Sequence, residues 1–324
     1  MKMAKVWGLL LTCLILAGCR GWVGEIGMHP PESFPQGEIV FQRGGHSLGF
    51  VDADGSVLTV VELRALLVGW QEVAYPVWSP DGSTVVFRAG ENPGGGYGDL
   101  IIIRAGREVL HCPDKGSLGM GRVSFLGTDK VVATVWNGVD DLMQVALINL
   151  EDCQVIRSYL DEAEVWGTSA ITQDGQWLAL EKRVSDPSVW DIMMLDLASG
   201  QETVVGKGCY PSWSPDGRWL AYTVEGYGEL LGGTYGPYPE GICVVGRDMG
   251  QKKCLVSFPK TYWGWEPAPS WSPDGQWLVY HRCMRKWCSE DVTEYSIFKV
   301  HVETGEEVKI LDGGVNPYWR QARP

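Results

Sequence analysis

Trp213-Ser214-Pro215-Asp216-Gly217 recurs as Trp78 to Gly82 and again as Trp271 to Gly275. In Ser-Pro-Asp-Gly, proline presets φ for the second position of a tight turn, aspartate bonds its own backbone, and glycine takes the φ > 0 position without steric penalty. The stretch reads as a hairpin corner. The strand leaving the corner, Trp219-Leu220-Ala221-Tyr222 or Trp277-Leu278-Val279-Tyr280, is apolar on both faces, as a sheet covered on both sides requires.

With the Trp as a ruler, equivalent positions fall at Trp78, Phe125, Ile171, Trp213, Trp271 and Trp319, at spacings of 47, 46, 42, 58 and 48 residues. A period in the forties with four strand signals per repeat indicates a β-propeller blade. In the third repeat the strands end near Ile171, then span Trp177 to Lys182, Asp191 to Leu197 and Glu202 to Val205. Trp319 lies five residues from the C-terminus, so its blade lacks three strands. The N-terminal stretches Gly37 to Arg43, Leu48 to Asp52 and Ser56 to Leu63 supply them. The expectation is an all-β, six-bladed propeller of four-stranded blades over residues 37–324, closed by pairing the N-terminal strands with the C-terminal one, which removes exposed edges. The composition agrees, with 16 Trp, 12 Tyr and 42 Gly suiting short strands and tight turns.

These copies resemble the WD40-like PD40 repeats of the TolB β-propeller family, also seen in propellers of prolyl oligopeptidase relatives. The resemblance covers about 280 residues, with Asn316-Pro317-Tyr318-Trp319-Arg320 as a truncated copy. It implies an envelope protein as partner, although the chain lacks room for the separate N-terminal domain of TolB itself.

Residues 1–18 read as a signal peptide, with Lys2 and Lys5 ahead of the apolar run Val6 to Leu16. Leu16-Ala17-Gly18-Cys19 resembles the lipobox of bacterial lipoproteins, implying a lipid on Cys19 and a tether over 19–36. The expected address is the extracytoplasmic cell envelope, with the membrane reached only through that lipid. Loss of Lys2 and Lys5 takes the formal charge from -13 to -15, which opposes electrostatic binding of nucleic acid or anionic lipid.

Chemistry is sparsely signalled. Gly45-His46-Ser47-Leu48-Gly49 matches a nucleophile elbow, but no strand-to-helix context surrounds it, so it reads as a turn. The five histidines show no paired metal-ligand spacing, and His281 reads as a partly buried strand residue. Asp81, Asp174, Asp216 and Asp274 read as turn residues and not as a cation ring. No catalytic residue, cofactor or metal is expected.

Among the seven cysteines after Cys19, strand register sets Cys243 opposite Cys254, and Cys283 and Cys288 bracket a short connection, so both pairs are expected as disulfides. Cys153 replaces the turn glycines Gly200 and Gly305, on one rim; Cys112 and Cys209 fall in connections on the opposite rim, so Cys153 is expected to pair with neither.

Long loops gather on one face: Glu91 to Asp99, Val184 to Trp190, Glu225 to Gly241, Ser257 to Pro269 and Arg282 to Asp291. Tyr227, Tyr235, Tyr238, Trp263, Trp265, Arg282, Arg285 and Trp287 make that face the candidate binding surface, since aromatics mixed with arginine suit protein, peptide or sugar ligands. The expected function is non-catalytic binding of an envelope protein or peptide. The alternatives are a carbohydrate-active lyase or hydrolase working at the channel mouth, and an envelope scaffold.

Overall fold

The computed structural model describes residues 37–63, 72–90, 98–104, 109–112, 121–136, 143–161, 165–184, 189–229, 235–259, 264–285, 288–289 and 291–321. The proposed signal, Cys19 and the tether lie outside them.

The strands follow the repeat. β1 (Ile39–Gly44), β2 (Ser47–Val51) and β3 (Leu58–Glu62) precede β4 (Glu72–Trp78), β5 (Thr84–Gly90), β6 (Asp99–Arg104) and β7 (Leu110–Cys112). Next come β8 (Ser124–Leu126), β9 (Lys130–Trp136), β10 (Met143–Asn149) and β11 (Val155–Asp161), then β12 (Val165–Ile171), β13 (Trp177–Lys182) and β14 (Asp191–Asp196). β15 (Glu202–Trp213), β16 (Trp219–Glu229), β17 (Tyr235–Gly246) and β18 (Lys252–Ser257) come after them, and the chain ends with β19 (Ser270–Trp271), β20 (Trp277–Cys283), β21 (Tyr295–His301), β22 (Glu307–Asp312) and β23 (Val315–Trp319). No described helix is long and apolar enough to cross a membrane.

All pairings are antiparallel. Four sheets have four strands, ordered β4-β5-β6-β7, β11-β10-β9-β8, β19-β20-β21-β22 and β23-β1-β2-β3. The last joins the two ends of the chain, with Ile39 opposite Trp319, as the truncated sixth copy demanded. The seven-stranded sheet β12 to β18 is two four-stranded ladders sharing β15: Glu202 to Lys207 pair with β14, and Gly208 to Trp213 pair with β16. The fourth strand predicted to stop at Val205 therefore runs on into the next unit.

Apolar clusters lie between each unit and the next. Val77 and Val86 meet Val131 and Ala133, Val132 and Val145 meet Leu178 and Leu180, and Ala179 and Met194 meet Leu220 and Tyr222. Val244 and Val256 then meet Trp271 and Leu278, Val279 and Ile297 meet Ile39 and Phe41, and Val40 and Phe50 meet Val73 and Val85. The sequence of contacts returns to its start, so the sheets form a closed ring. Two of the ruler tryptophans staple it: Trp213 Nε1 donates to the Ala170 carbonyl (3.2 Å) and Trp271 Nε1 to the Ser212 carbonyl (2.9 Å), each in the preceding unit.

The corners repeat closely. The hydroxyls of Ser79 and Ser214 donate to Asp81 and Asp216 Oδ1 at 2.6 Å, and the same Oδ1 atoms accept from Ser83 N and Arg218 N at 3.0 and 3.1 Å. Asp174 and Asp274 do the same, and the glycine ending each corner sits at φ +67° to +70°. This is a type I turn closed by a left-handed residue.

Disulfides join Cys243 to Cys254 and Cys283 to Cys288 as expected. A third links Cys112 to Cys153, against the expectation that Cys153 pairs with neither Cys112 nor Cys209. That expectation put Cys112 in a connection beyond the strands, whereas it is the last residue of the outer strand β7. Each strand is rotated about 20–25° from its neighbour, so the end of outer strand β7 swings against the β10–β11 turn of the next blade. Arg104 marks the same junction, reaching Glu151 at 3.0 Å and the Leu150 carbonyl at 3.3 Å. Cys153 does hold the turn-glycine conformation, at φ +57°.

Candidate functional site: the plugged channel and its arm

Two rings of residues, both fixed by the repeat, meet at the axis. The first lies three positions before each ruler residue, on the inner strands and their approaches: Tyr75, Arg122, Thr168, Tyr210, Ala268 and Asn316. The ladders slip by a bulge here, between Ala74 and Val77 and between Cys209 and Ser212. Tyr75, Tyr210 and Asn316 adopt φ of +53°, +55° and +53°, a conformation that costs a non-glycine residue roughly 1–2 kcal/mol.

The second ring is on the neighbouring strand, three residues beyond the partner of each ruler residue: Arg88, Thr134, Glu181, Thr223, His281 and Gln42, all buried and all polar. Most of these side chains bond the inner strand of the following unit. Glu181 Oε1 accepts from Tyr210 N at 2.8 Å and Thr168 N at 3.0 Å. His281 Nδ1 accepts from Asn316 N at 3.2 Å, Thr134 Oγ1 bonds Ser169 Oγ at 2.8 Å, and Thr223 Oγ1 donates to the Pro267 carbonyl. They satisfy backbone groups that the bulges release from the ladder. The signal was present in the sequence as a polar residue ending otherwise apolar five-residue runs, such as Trp177-Leu-Ala-Leu-Glu181 and Trp277-Leu-Val-Tyr-His281.

Two bars close the channel. The Tyr75 and Tyr210 hydroxyls meet at 3.0 Å. Arg122 reaches the carbonyls of Pro269 at 3.1 Å and Pro317 at 2.8 Å, with its guanidinium 5.2 Å from the centre of the Tyr318 ring. Burial lowers the Arg122 pKa to about 10, so it stays charged at neutral pH. On the corner side a small cavity of about 40 Å³, open to solvent, is lined by Arg122, Thr168, Ser212, Ser214, Ser270 and Gln321.

Acidic groups crowd the other side of the bars. Burial raises Glu181 to about 8. Burial and the neighbouring Glu266 raise Glu225, and burial raises Glu266. Cys209 Sγ lies 3.5 Å from Glu266 Oε2, and burial followed by the surrounding carboxyls pushes its thiol well up. Among the described residues Cys209 is the cysteine without a disulfide.

Glu225 also begins the arm. In the segment expected as an irregular loop, Glu225 to Gly241, the described residues 225–229 and 235–241 instead extend the β16–β17 ladder, with Glu225 opposite Pro239, Tyr227 opposite Pro237 and Glu229 opposite Tyr235. Alternation puts Tyr227 on the same face as Glu225. Tyr227 is 45% exposed, whereas Tyr238 is buried on the opposite face, over Gly226 and Gly228. A Cβ at Gly226 would stand 2.7 Å from the Tyr238 ring, so the glycine makes room for it.

The other candidate surface residues are dispersed. Trp265 is half-buried, its ring 6.0 Å from that of Tyr295. Arg282 pairs with Glu307 at 2.9 Å and lies 4.2 Å over Phe298, so its charge is already used on the blade. Arg285 is exposed and pairs with Glu294. Trp263, Trp287 and the Tyr235 side chain lie outside the described residues. Ser47 donates to Glu62 at 2.9 Å within the β1–β2–β3 sheet, which leaves no elbow there, and burial lowers His281 to about 3.

TolB from Acinetobacter baumannii superposes on this ring with a TM-score of 0.64, at 16% identity, over 88% of this chain and 67% of that one. The fold is that of a TolB-type β-propeller. A putative TolB from Agrobacterium tumefaciens matches over 86% of this chain and 90% of its own, with a TM-score of 0.52 and 17% identity. A chain of the nidogen/laminin complex matches with a TM-score of 0.61 at 9% identity, over 88% of this chain and 99% of that one. At such identities the likeness is one of fold. No family model matches the propeller, and no curated protein does.

Proposed function

We propose that this chain is a non-catalytic, six-bladed extracytoplasmic propeller, lipid-anchored at Cys19, that binds an envelope protein or peptide through the end of the ring bearing the β16–β17 arm. The arm is the observation that carries the reading. Its strands have 11 and 12 residues, against five to seven in the corresponding second and third strands of the other sheets. The extra length adds little to the ring, and it holds out an exposed Tyr227 opposite an exposed Pro237. Tyrosine on a rigid element offers large contact area at low entropic cost, as binding surfaces use it. Three disulfides support an oxidising compartment.

The carbohydrate-active alternative draws on the paired carboxyls of Glu225 and Glu266. A glycoside-cleaving pair stands about 5–9.5 Å apart, whereas these two share a hydrogen bond, which favours binding over hydrolysis.

Crosslinking from native membranes tests the proposal, comparing the intact chain with Tyr227→Ala and with a variant whose residues 226–238 are replaced by an Asn-Gly turn. The expected result is one specific protein captured, lost without the arm and reduced about ten-fold by Tyr227→Ala, some 1.4 kcal/mol. Capture indifferent to both changes, or none at all, defeats it.

A further inference from the structure

Cys209, Glu225 and Glu266 bring one ligand atom each to within 4.8 Å of one another, on the acidic side of the channel bars. We propose that these three side chains form a binding site for a zinc-class divalent cation. With Zn–S near 2.3 Å and Zn–O near 2.0 Å, the sulfur-to-oxygen edge of a tetrahedral site is about 3.5 Å, and Cys209 Sγ stands 3.5 Å from Glu266 Oε2. A second observation points to a ligand: Glu225 is 3% exposed, and its Oε2 has no hydrogen-bond partner. A buried carboxylate oxygen without a donor is costly unless a proton or a cation meets it.

The local backbone supports the same assignment. The bulge between Cys209 and Ser212 sits at the left-handed Tyr210, whose N–H is held by Glu181, so the residue beside Cys209 is fixed from the neighbouring blade. Glu181 is occupied by that bond and by Thr168 N, and is not counted as a ligand. One thiolate and two carboxylates suit zinc, or cobalt in its place, better than calcium or magnesium, which take oxygen alone. Three protein ligands leave a fourth position open. Ligation requires the thiolate and the carboxylates, so the ion displaces protons and its affinity rises with pH.

The test is titration of the purified, metal-stripped full chain with cobalt(II), read through the thiolate-to-cobalt charge-transfer band in the near ultraviolet. The band is expected to saturate at about one equivalent, to vanish on adding zinc, to persist in Cys19→Ser, and to be lost in Cys209→Ser. Glu225→Gln and Glu266→Gln are each expected to weaken cobalt binding at least ten-fold while retaining the β-sheet circular dichroism of the parent. Absence of the band from the folded wild-type chain, or a band that tracks Cys19 instead, overturns the site even where the Cys209 variant does not fold. Partner capture through the arm is measured separately, so either reading can fail without the other.

Discussion

The corners and the second-strand ring both recur from blade to blade, and they do so in opposite ways. At the corners, Asp81, Asp174, Asp216 and Asp274 are the same residue making the same bonds, because each works inside one turn whose geometry recurs. In the second-strand ring the positions are equally equivalent, yet they hold Arg88, Thr134, Glu181, Thr223, His281 and Gln42. Each of these faces a different stretch of a neighbouring inner strand and a different part of the channel. Repetition marks what a blade needs for itself, and departure from it at equivalent places marks where the blades meet and where chemistry can concentrate.

The largest test of this contrast removes the ring's closure. A chain ending at Gly314 loses Val315 and Trp319 from the core, the Pro317 carbonyl from Arg122 and the Asn316 N–H from His281. No cooperative unfolding transition is expected by calorimetry; a melting temperature equal to that of the full chain would show that the shared sheet is dispensable.

Next comes His281. Its pKa of about 3 in the fold, against 6.5 in the unfolded chain, means that only the unfolded state binds a proton between those values. Stability is therefore intact above about pH 6.5 and lost as pH falls through about 3, by up to roughly 5 kcal/mol. Urea midpoints measured from pH 7 to pH 3 should fall more steeply for the wild type than for His281→Gln; parallel curves would remove His281 from the account. Glu181 has the opposite sign. Its neutral acid contributes stability below about pH 4.5 that is lost as pH rises through about 8.

The disulfides come third. Cys112–Cys153 closes a separation of 41 residues and Cys283–Cys288 one of 5. Chain entropy assigns them about 4 and about 2 kcal/mol, so paired alanine substitutions should lower the denaturant midpoint more for the bond between blades. The smallest effect belongs to the corners. Asp216→Ala and Asp274→Ala should each cost about 1–2 kcal/mol, and by nearly equal amounts. In the second-strand ring, Thr134→Val and Thr223→Val should differ from each other, since one loses a hydroxyl partner and the other leaves a carbonyl unbonded. Unequal corners or equal threonines would undo the contrast.

Much of the architecture was legible because it is local. The Ser-Pro-Asp-Gly corners, the apolar runs after them, the period of the ruler residues and the pairing of chain ends all derive from turn chemistry, alternation and counting, as does Cys243 opposite Cys254. The channel was less legible. Glu225 looked like the start of a loop because glycine and proline dominate Gly226 to Pro239, and only the cross-strand fit of Tyr238 over Gly226 shows why a hairpin tolerates them. The Cys112–Cys153 bond was misread because blade twist, which decides it, leaves no mark in the spacing of residues.

The sequence by itself determined the repeat, the corners and the closure, since these depend on neighbours a few residues apart or on a count. Only the tertiary structure decided that Tyr75 meets Tyr210 across the axis, that Arg122 reaches carbonyls on the far side, and that Cys209, Glu225 and Glu266 converge. Those meetings join residues up to 195 positions apart. They are set by the angle through which each blade is turned from the last, which the packing of the whole ring fixes and no single repeat contains.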